Sequence, residues 1–238
     1  EYMIVSTSSE KPLTILHLLH NHHISSALCF TKSVDSAHRL SELIRIFEIL
    51  YSQTLKKEIK EIEINNIQKT NEKSDNIDFV RSIVAAEYSS DLSQEERKNI
   101  LNKFKHGEIQ LLICSDLIAR GIDIERVDTV INYDVPIYMK KYVHRVGRTA
   151  RAGRKGDAYS IVETQEVRHF KNMLRKAGHL DKIKNVNIKS IKLEPLMAIY
   201  KKSLEAFGEY MDHQPQNIKI SFLQWILMGF KKSDRKTK

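Results

Sequence analysis

The chain has 238 residues, 41% of them hydrophobic and 29% charged, and its 39 Lys and Arg outnumber 30 Asp and Glu to give a formal net charge of +9. That length suits one domain of ordinary size with an extension, and the excess of cations favours a polyanionic partner. No apolar run approaches the roughly 20 residues of a spanning helix and no secretory signal is visible, so the expectation is a soluble intracellular protein without a membrane partner.

Tyr2 to Val5 reads as a strand. Pro12 then fits the first turn of a helix whose apolar pattern runs from Leu13 to Leu19. His17, His20, His22 and His23 lie on or after that helix. No Cys or carboxylate pair joins them at ligand spacing, so they read as a polar edge and no metal is expected. Ser26 to Leu40, S-A-L-C-F-T-K-S-V-D-S-A-H-R-L, is a strand, a polar break at Thr31 and Lys32, and a helix with Ala37, Leu40, Leu43 and Ile44 on one face. Tyr51 to Asn76 is dense in Lys, Glu, Ile and Asn. Leu55, Ile59 and Ile62 would extend the preceding helix or make a second one, yet so many charges favour a solvated surface loop, with an ordered docking element as the alternative.

Farther on, in S-S-D-L-S-Q-E-E-R from Ser89, Ser93 is a helix N-cap, Glu96 its capping-box partner, and Arg97 emerges in the first turn. Leu111 to Asn132, L-L-I-C-S-D-L-I-A-R-G-I-D-I-E-R-V-D-T-V-I-N, begins as a strand buried on both faces and breaks at Ser115 and Asp116. Ligands of open α/β sheets sit outside the carboxyl ends of the strands, which brings Ser115, Asp116, Arg120, Gly121 and Asp123 to the crevice. Cys29 and Cys114 fall within two such strands and are expected to be reduced core thiols.

Tyr142 to Arg151, Y-V-H-R-V-G-R-T-A-R, carries His144 and three arginines at a spacing of three. On a helix Arg145, Arg148 and Arg151 would stay on one side with their forks aligned, Val143 and Val146 would pack on the other, and Ala152-Gly153 would end it. A guanidinium fork gives paired hydrogen bonds to phosphate oxygens and stays charged at any biological pH. Leu193 to Tyr210 has Leu196, Ile199, Tyr200, Leu204 and Phe207 on one face and is expected to pack back as a C-terminal helix. Phe222 to Phe230 is too short to span a bilayer and reads as a packed helix, followed by a basic tail.

H-R-V-G-R-T-A-R-A-G resembles motif VI of the DEAD-box RNA helicases. Leu111 to Asn132 resembles their motif V, with Ser115 in place of the more usual Thr, and Ser26 to Leu40 resembles motif IV. Ser89 to Arg97 resembles the Q-x-x-R segment, with Ser89-Ser90 where most of the family has His-Gly. These segments stand in family order over roughly residues 1 to 180. E-Y-S-S, C-F-T and R-H-F-K-N-M-L-R-K-A-G from Arg168 are similar to one subfamily, nucleolar helicases acting on precursors of the large ribosomal subunit.

The resemblance implies an α/β fold, a RecA-like parallel sheet sandwiched by helices. Residues 1–180 would form this helicase C-terminal domain, with an insertion at about 51–76, and 181–238 a helical extension and basic tail. By the same resemblance Arg148 and Arg151 meet the ATP γ-phosphate, and His144 and Arg145 couple the two halves of the enzyme. Asp123, with Arg120 and Gly121, serves the nucleotide, and Thr31, Lys32, Arg97, Ser115 and Asp116 lie along the RNA backbone. A phosphate-binding G-x-x-x-x-G-K-[ST] loop, a D-E-A-D box and an S-A-T linker are missing from the chain. It is therefore expected to be half of an ATP-dependent RNA helicase of the nucleus and nucleolus. ATP and Mg2+ would be bound mainly through an N-terminal RecA-like domain in cis, and this half would be inactive alone. Its partners would be pre-ribosomal RNA and assembly factors. The alternatives are a passive RNA-binding module and a protein-docking platform on the same fold.

Overall fold

Short apolar runs make the strands, and their burial on both faces makes the sheet parallel and central. The structure, a computed structural model, describes residues 1–22, 24–66, 82–116, 124, 127–188 and 192–212. Among these residues the strands are β1 (Tyr2–Ser6), β2 (Ala27–Thr31), β3 (Ala85–Tyr88), β4 (Leu111–Ser115), β5 (Thr129–Asn132), β6 (Asp157–Glu163) and β7 (Lys184–Val186). They form one sheet in the order β3-β4-β2-β5-β6-β1-β7, with every neighbouring pair parallel. All residues of β2, β4 and β5 are buried. The helices are α1 (Lys11–Asn21), α2 (Val34–Asn66), α3 (Gln94–Lys105), α4 (Met139–Val146), α5 (Val167–Lys176) and α6 (Glu194–Asp212). Among the described residues, no helix is long and apolar enough to cross a membrane.

Alternation along the strands divides the core into two faces. Ala27 and Cys29 of β2 join Leu13 and Leu16 of α1, Ile44 and Phe47 of α2 and Leu196 and Tyr200 of α6. Leu28 and Phe30 turn the other way, to Phe104 of α3 and to Tyr88, Leu112, Cys114 and Val130 of the neighbouring strands. On that second side Met3 and Val162 pack with Tyr142 of α4 and Phe170 and Leu174 of α5. Both cysteines are free and buried; burial pushes the Cys114 thiol up to about 12 and Cys29 well above its ordinary value, so both stay protonated.

Three sequence expectations need correction. The segment after Leu50 is not a loop through its first part, because α2 runs unbroken to Asn66 over 33 residues. From Val34 to Asn66 it contains neither Gly nor Pro, and its Lys, Glu, Leu and Gln are good helix formers whose opposite charges fall at helical spacing. Residues 67–81, including the stretch at 70–76, lie outside the described residues. The buried stripe of α6 bypasses Leu204, which is 42% exposed, and runs through Leu196, Tyr200, Ser203 and Tyr210. Tyr210 packs on Ile46 of α2. Third, the arginine helix ends earlier than Ala152-Gly153: α4 stops at Val146, with Gly147 as its C-cap.

The histidine edge of α1 has structural partners. His17 bonds the Asn21 amide at 3.1 Å, and His20 Nε2 lies 2.8 Å from Glu48 Oε1. Glu48 also accepts the Ile83 N–H at 3.0 Å and so fixes the chain where it enters β3. His23 lies outside the described residues, as do Phe222 to Phe230 and the basic tail. Among the described residues no group of three or more His, Cys, Asp and Glu is placed to hold a metal ion.

Candidate functional site

The register aligns polar residues at the carboxyl edge of the sheet. Thr31, the last residue of β2, lies opposite Ser115, the last of β4, and Tyr88 of β3 lies opposite Cys114, which sets Ser89 beside Ser115. Among the described residues the hydroxyls of Ser115 and Ser89 are buried without a hydrogen-bond partner. A buried hydroxyl left unmatched costs on the order of 1–3 kcal/mol, so two side by side mark an edge able to meet a polar ligand. Thr31 is differently placed: its Oγ1 donates to the Ser33 carbonyl at 3.0 Å, with the Cys114 carbonyl at 3.4 Å. Lys32 is exposed at the same edge.

Arg97 stands in the first turn of α3, close enough to Tyr88 at the end of β3 for its charge to act against the rise that burial gives that phenol's pKa. Ser93 Oγ accepts the Glu96 N–H at 3.2 Å, and Glu96 Oε2 accepts the Ser93 N–H at 2.8 Å, which closes the capping box expected from S-Q-E-E. Those bonds hold the Glu96 carboxyl below its ordinary value.

The four basic residues of Tyr142 to Arg151 separate into two groups, contrary to the single aligned face expected from their spacing. Arg145 turns inward and is 4% exposed. Its Nε and Nη2 donate to the two oxygens of Asp116 at 2.6 and 3.0 Å, and its Nη1 donates to the Asp134 carbonyl at 2.6 Å and to Asn132 Oδ1 at 3.3 Å. Its guanidinium also sits 5.0 Å from the centre of the Phe30 ring. Burial pushes the Asp116 carboxyl up, but the bonds and charge of Arg145, with Lys141 at 3.4 Å, outweigh it and hold the pKa below its ordinary value. His144 is exposed on α4, and Val143, expected to pack, is 51% exposed.

Arg148 and Arg151 lie beyond the helix. Arg148 is in the turn after Gly147, and Arg151 opens a 3-10 turn, its Nε donating to the Gly147 carbonyl at 2.8 Å. Burial, and then the charge of Arg151, lower the Arg148 pKa. Arg148 is half-buried and Arg151 exposed, so like charges lie close together at the surface of this turn. The loop is fixed from beneath: Thr149 Oγ1 donates to the Val127 carbonyl at 2.6 Å, and a Cβ on Gly156 would fall 2.0 Å from that oxygen. Between the two arginines Ala150 holds φ +55°, a left-handed conformation unfavourable for any residue with a Cβ. Arg120, Gly121 and Asp123 lie outside the described residues.

Two residues escaped the motif reading. Lys11, 3% exposed, places Nζ 2.9 Å from Asp134 Oδ1 and 3.3 Å from Glu163 Oε1, at the ends of β5 and β6. A lysine in the first turn of a helix opposes the helix dipole, and that anomaly was the available signal that it has carboxylate partners. Asp134 carried no such mark.

A seven-stranded parallel sheet sandwiched by helices, with hydroxyls and arginines gathered at its carboxyl edge, is a domain of the RecA-like kind. Residues 10–153 match the family described as "Helicase conserved C-terminal domain". The chain belongs to that family, in its DEAD-box branch. It is 36% identical over 203 residues to ATP-dependent RNA helicase dbp6 of Schizosaccharomyces pombe, covering 85% of this chain and 29% of that protein. To the human ATP-dependent RNA helicase DDX51 it is 36% identical over 201 residues, covering 84% of this chain and 25% of the relative. The chain thus spans less than a third of the length of either relative. The crystal structure of a DEAD box protein from Methanococcus jannaschii superposes with a TM-score of 0.55 at 26% identity, covering 79% of this chain and 41% of that one.

Proposed function

We propose that this chain is the second half of an ATP-dependent RNA helicase, grips RNA by its backbone and presents arginines to ATP across a cleft closed by a first RecA-like domain. The observation that carries this is the division of the basic cluster. Arg145 is spent inside the domain, whereas Arg148 and Arg151 share an outer turn where their charges oppose each other. An arginine so placed stabilises the charge that develops on a transferring phosphoryl group. Arg145, through Asp116, would couple the halves by setting the turn that carries the outer pair, and His144 stands exposed to meet the other domain.

RNA would pass along the carboxyl edge, where Ser115, Ser89, Lys32 and Arg97 supply hydroxyl and cationic donors beside Thr31 and Asp116. Contacts of that kind read backbone, not base sequence. Asp123, with Arg120 and Gly121, is assigned to the nucleotide by family resemblance. ATP and Mg2+ would be held mainly by the first domain, the metal neutralising phosphate charge when bound. Alone, this half would hydrolyse nothing. The dbp6 and DDX51 likeness supports a nuclear and nucleolar role on precursors of the large ribosomal subunit, with assembly factors as further partners. By the family resemblance residues 1–180 would form the helicase C-terminal domain, with 181–238 as its extension.

ATP turnover of the full-length protein, with and without RNA, tests the reading. RNA-stimulated hydrolysis that falls about a thousandfold in Arg148→Ala is the expected result. RNA binding without any hydrolysis, or hydrolysis indifferent to Arg148, would make this a passive RNA-binding or docking module instead.

A further inference from the structure

We infer that Asp134 is a positioning residue that ties the RNA-facing end of β2 to the arginine clamp of α4, an inference that rests on the helicase reading above. Every polar group of Asp134 is committed, each to a different part of the site. Its N–H donates to the Phe30 carbonyl at 3.1 Å, and its Oδ2 accepts the Lys32 N–H at 2.9 Å. Its Oδ1 accepts Lys11 Nζ at 2.9 Å, and its carbonyl accepts Arg145 Nη1 at 2.6 Å. One residue therefore holds the backbone at Lys32, proposed to face RNA, and the guanidinium that grips Asp116 beside Ser115.

Lys11 makes this arrangement directional. Its ammonium is buried between Asp134 and Glu163 and lies 4.7 Å from the centre of the Tyr133 ring. With Oδ1 fixed by Lys11, Oδ2 has one orientation, which meets the Lys32 amide. A shift of Lys32 under RNA therefore moves the Asp134 carboxylate and, through the same residue's carbonyl, Arg145. Arg145 stands three residues before Arg148, so the path from RNA to the phosphate-facing turn passes through a single side chain and its own peptide. A staple that only stabilised the fold would not need to join these two places.

Two variants of the full-length protein test the assignment. Asp134→Asn puts an amide donor against either Lys11 or the Lys32 N–H. Asp134→Glu keeps the charge for Lys11, and so the fold, while displacing both oxygens by one methylene. ATP turnover is measured across an RNA titration, and thermal midpoints are recorded alongside. The expected result is that the ratio of RNA-stimulated to unstimulated turnover falls about fivefold or more in both variants, within the usual range of coupling between sites. The RNA concentration for half-stimulation rises, and Asp134→Glu melts with the wild type. An unchanged ratio, or activity lost only in proportion to unfolded protein, overturns the positioning role and leaves the helicase reading standing. A wild-type protein with no RNA stimulation overturns both.

Discussion

Arg145 and Asp116 meet fork to fork, with Nε and Nη2 each on a separate carboxylate oxygen at 2.6 and 3.0 Å. The pair joins α4 to the end of β4 and is closed from solvent on the arginine side. Removing Arg145 leaves Asp116 with Lys141 alone at 3.4 Å and the Asn132 and Asp134 oxygens without their donor, so Arg145→Ala should lower the unfolding free energy by about 3 kcal/mol. Arg145→Lys keeps a charge but loses the paired geometry and should fall between that variant and the wild type. Urea unfolding of this chain measures both.

Acid should act through the same pair. The Asp116 carboxyl in the folded chain titrates below its ordinary value of 3.8, so as pH falls the unfolded chain takes up the proton first. The stability contributed is complete above about pH 5, begins to fail as pH approaches the unfolded value, and is lost as pH passes below the folded one. Thermal midpoints followed from neutral pH into acid should drop less steeply in Asp116→Asn than in the wild type. Equal slopes would remove Asp116 from the acid response.

The turn carrying Arg148 and Arg151 offers two substitutions of opposite sign. Gly156→Ala would drive a Cβ to 2.0 Å from Thr149 Oγ1 and 2.8 Å from the Ala150 nitrogen, and should cost about 2 kcal/mol with displacement of the turn. Ala150→Gly relieves the positive φ and should add up to about 1 kcal/mol. A denaturant series on the two variants and the parent checks both signs together.

Ser93→Ala should remove about 1 kcal/mol by opening the capping box of α3. Because Arg97 sits in that first turn, RNA affinity of the full-length protein should weaken as well. Hydrogen exchange at the Glu96 amide, which donates to Ser93, reports the loss of the cap directly.

The sheet was legible because its central strands are continuous apolar runs ending in polar residues. Both Leu111 to Ser115 and Ala27 to Thr31 were readable in this way, and so was the Ser93 cap. The arginine cluster was read only in part: a spacing of three says which residues can share a helix face, not where the helix stops. Gly147 ends α4 one residue before Arg148, so Arg145 and Arg148 part company at a point the periodicity does not mark. The extension of α2 is one of the readings the sequence allows, but composition alone favours a loop over it. Charged helix and charged loop are made of the same residues, and packing at the base of the helix distinguishes them. Lys11 and Asp134 are 123 positions apart, and no local pattern links them.

β1 has its sheet partners only in the last third of the chain, with Tyr2 opposite Tyr159 of β6 on one side and Lys184 of β7 on the other. As the chain is made, β2, β4 and β5 can therefore pair while β1, already made, still waits. Until residues 157–163 have emerged, β5 keeps an open edge of unpaired N–H and C=O groups, a template for pairing with other nascent chains. The turn bearing Arg148 and Arg151 lies a few residues before that strand, so these two arginines are set in place late in assembly. A ribosome paused before β6 would hold the four strands β3-β4-β2-β5, with the β5 edge exposed and β1 still without a partner.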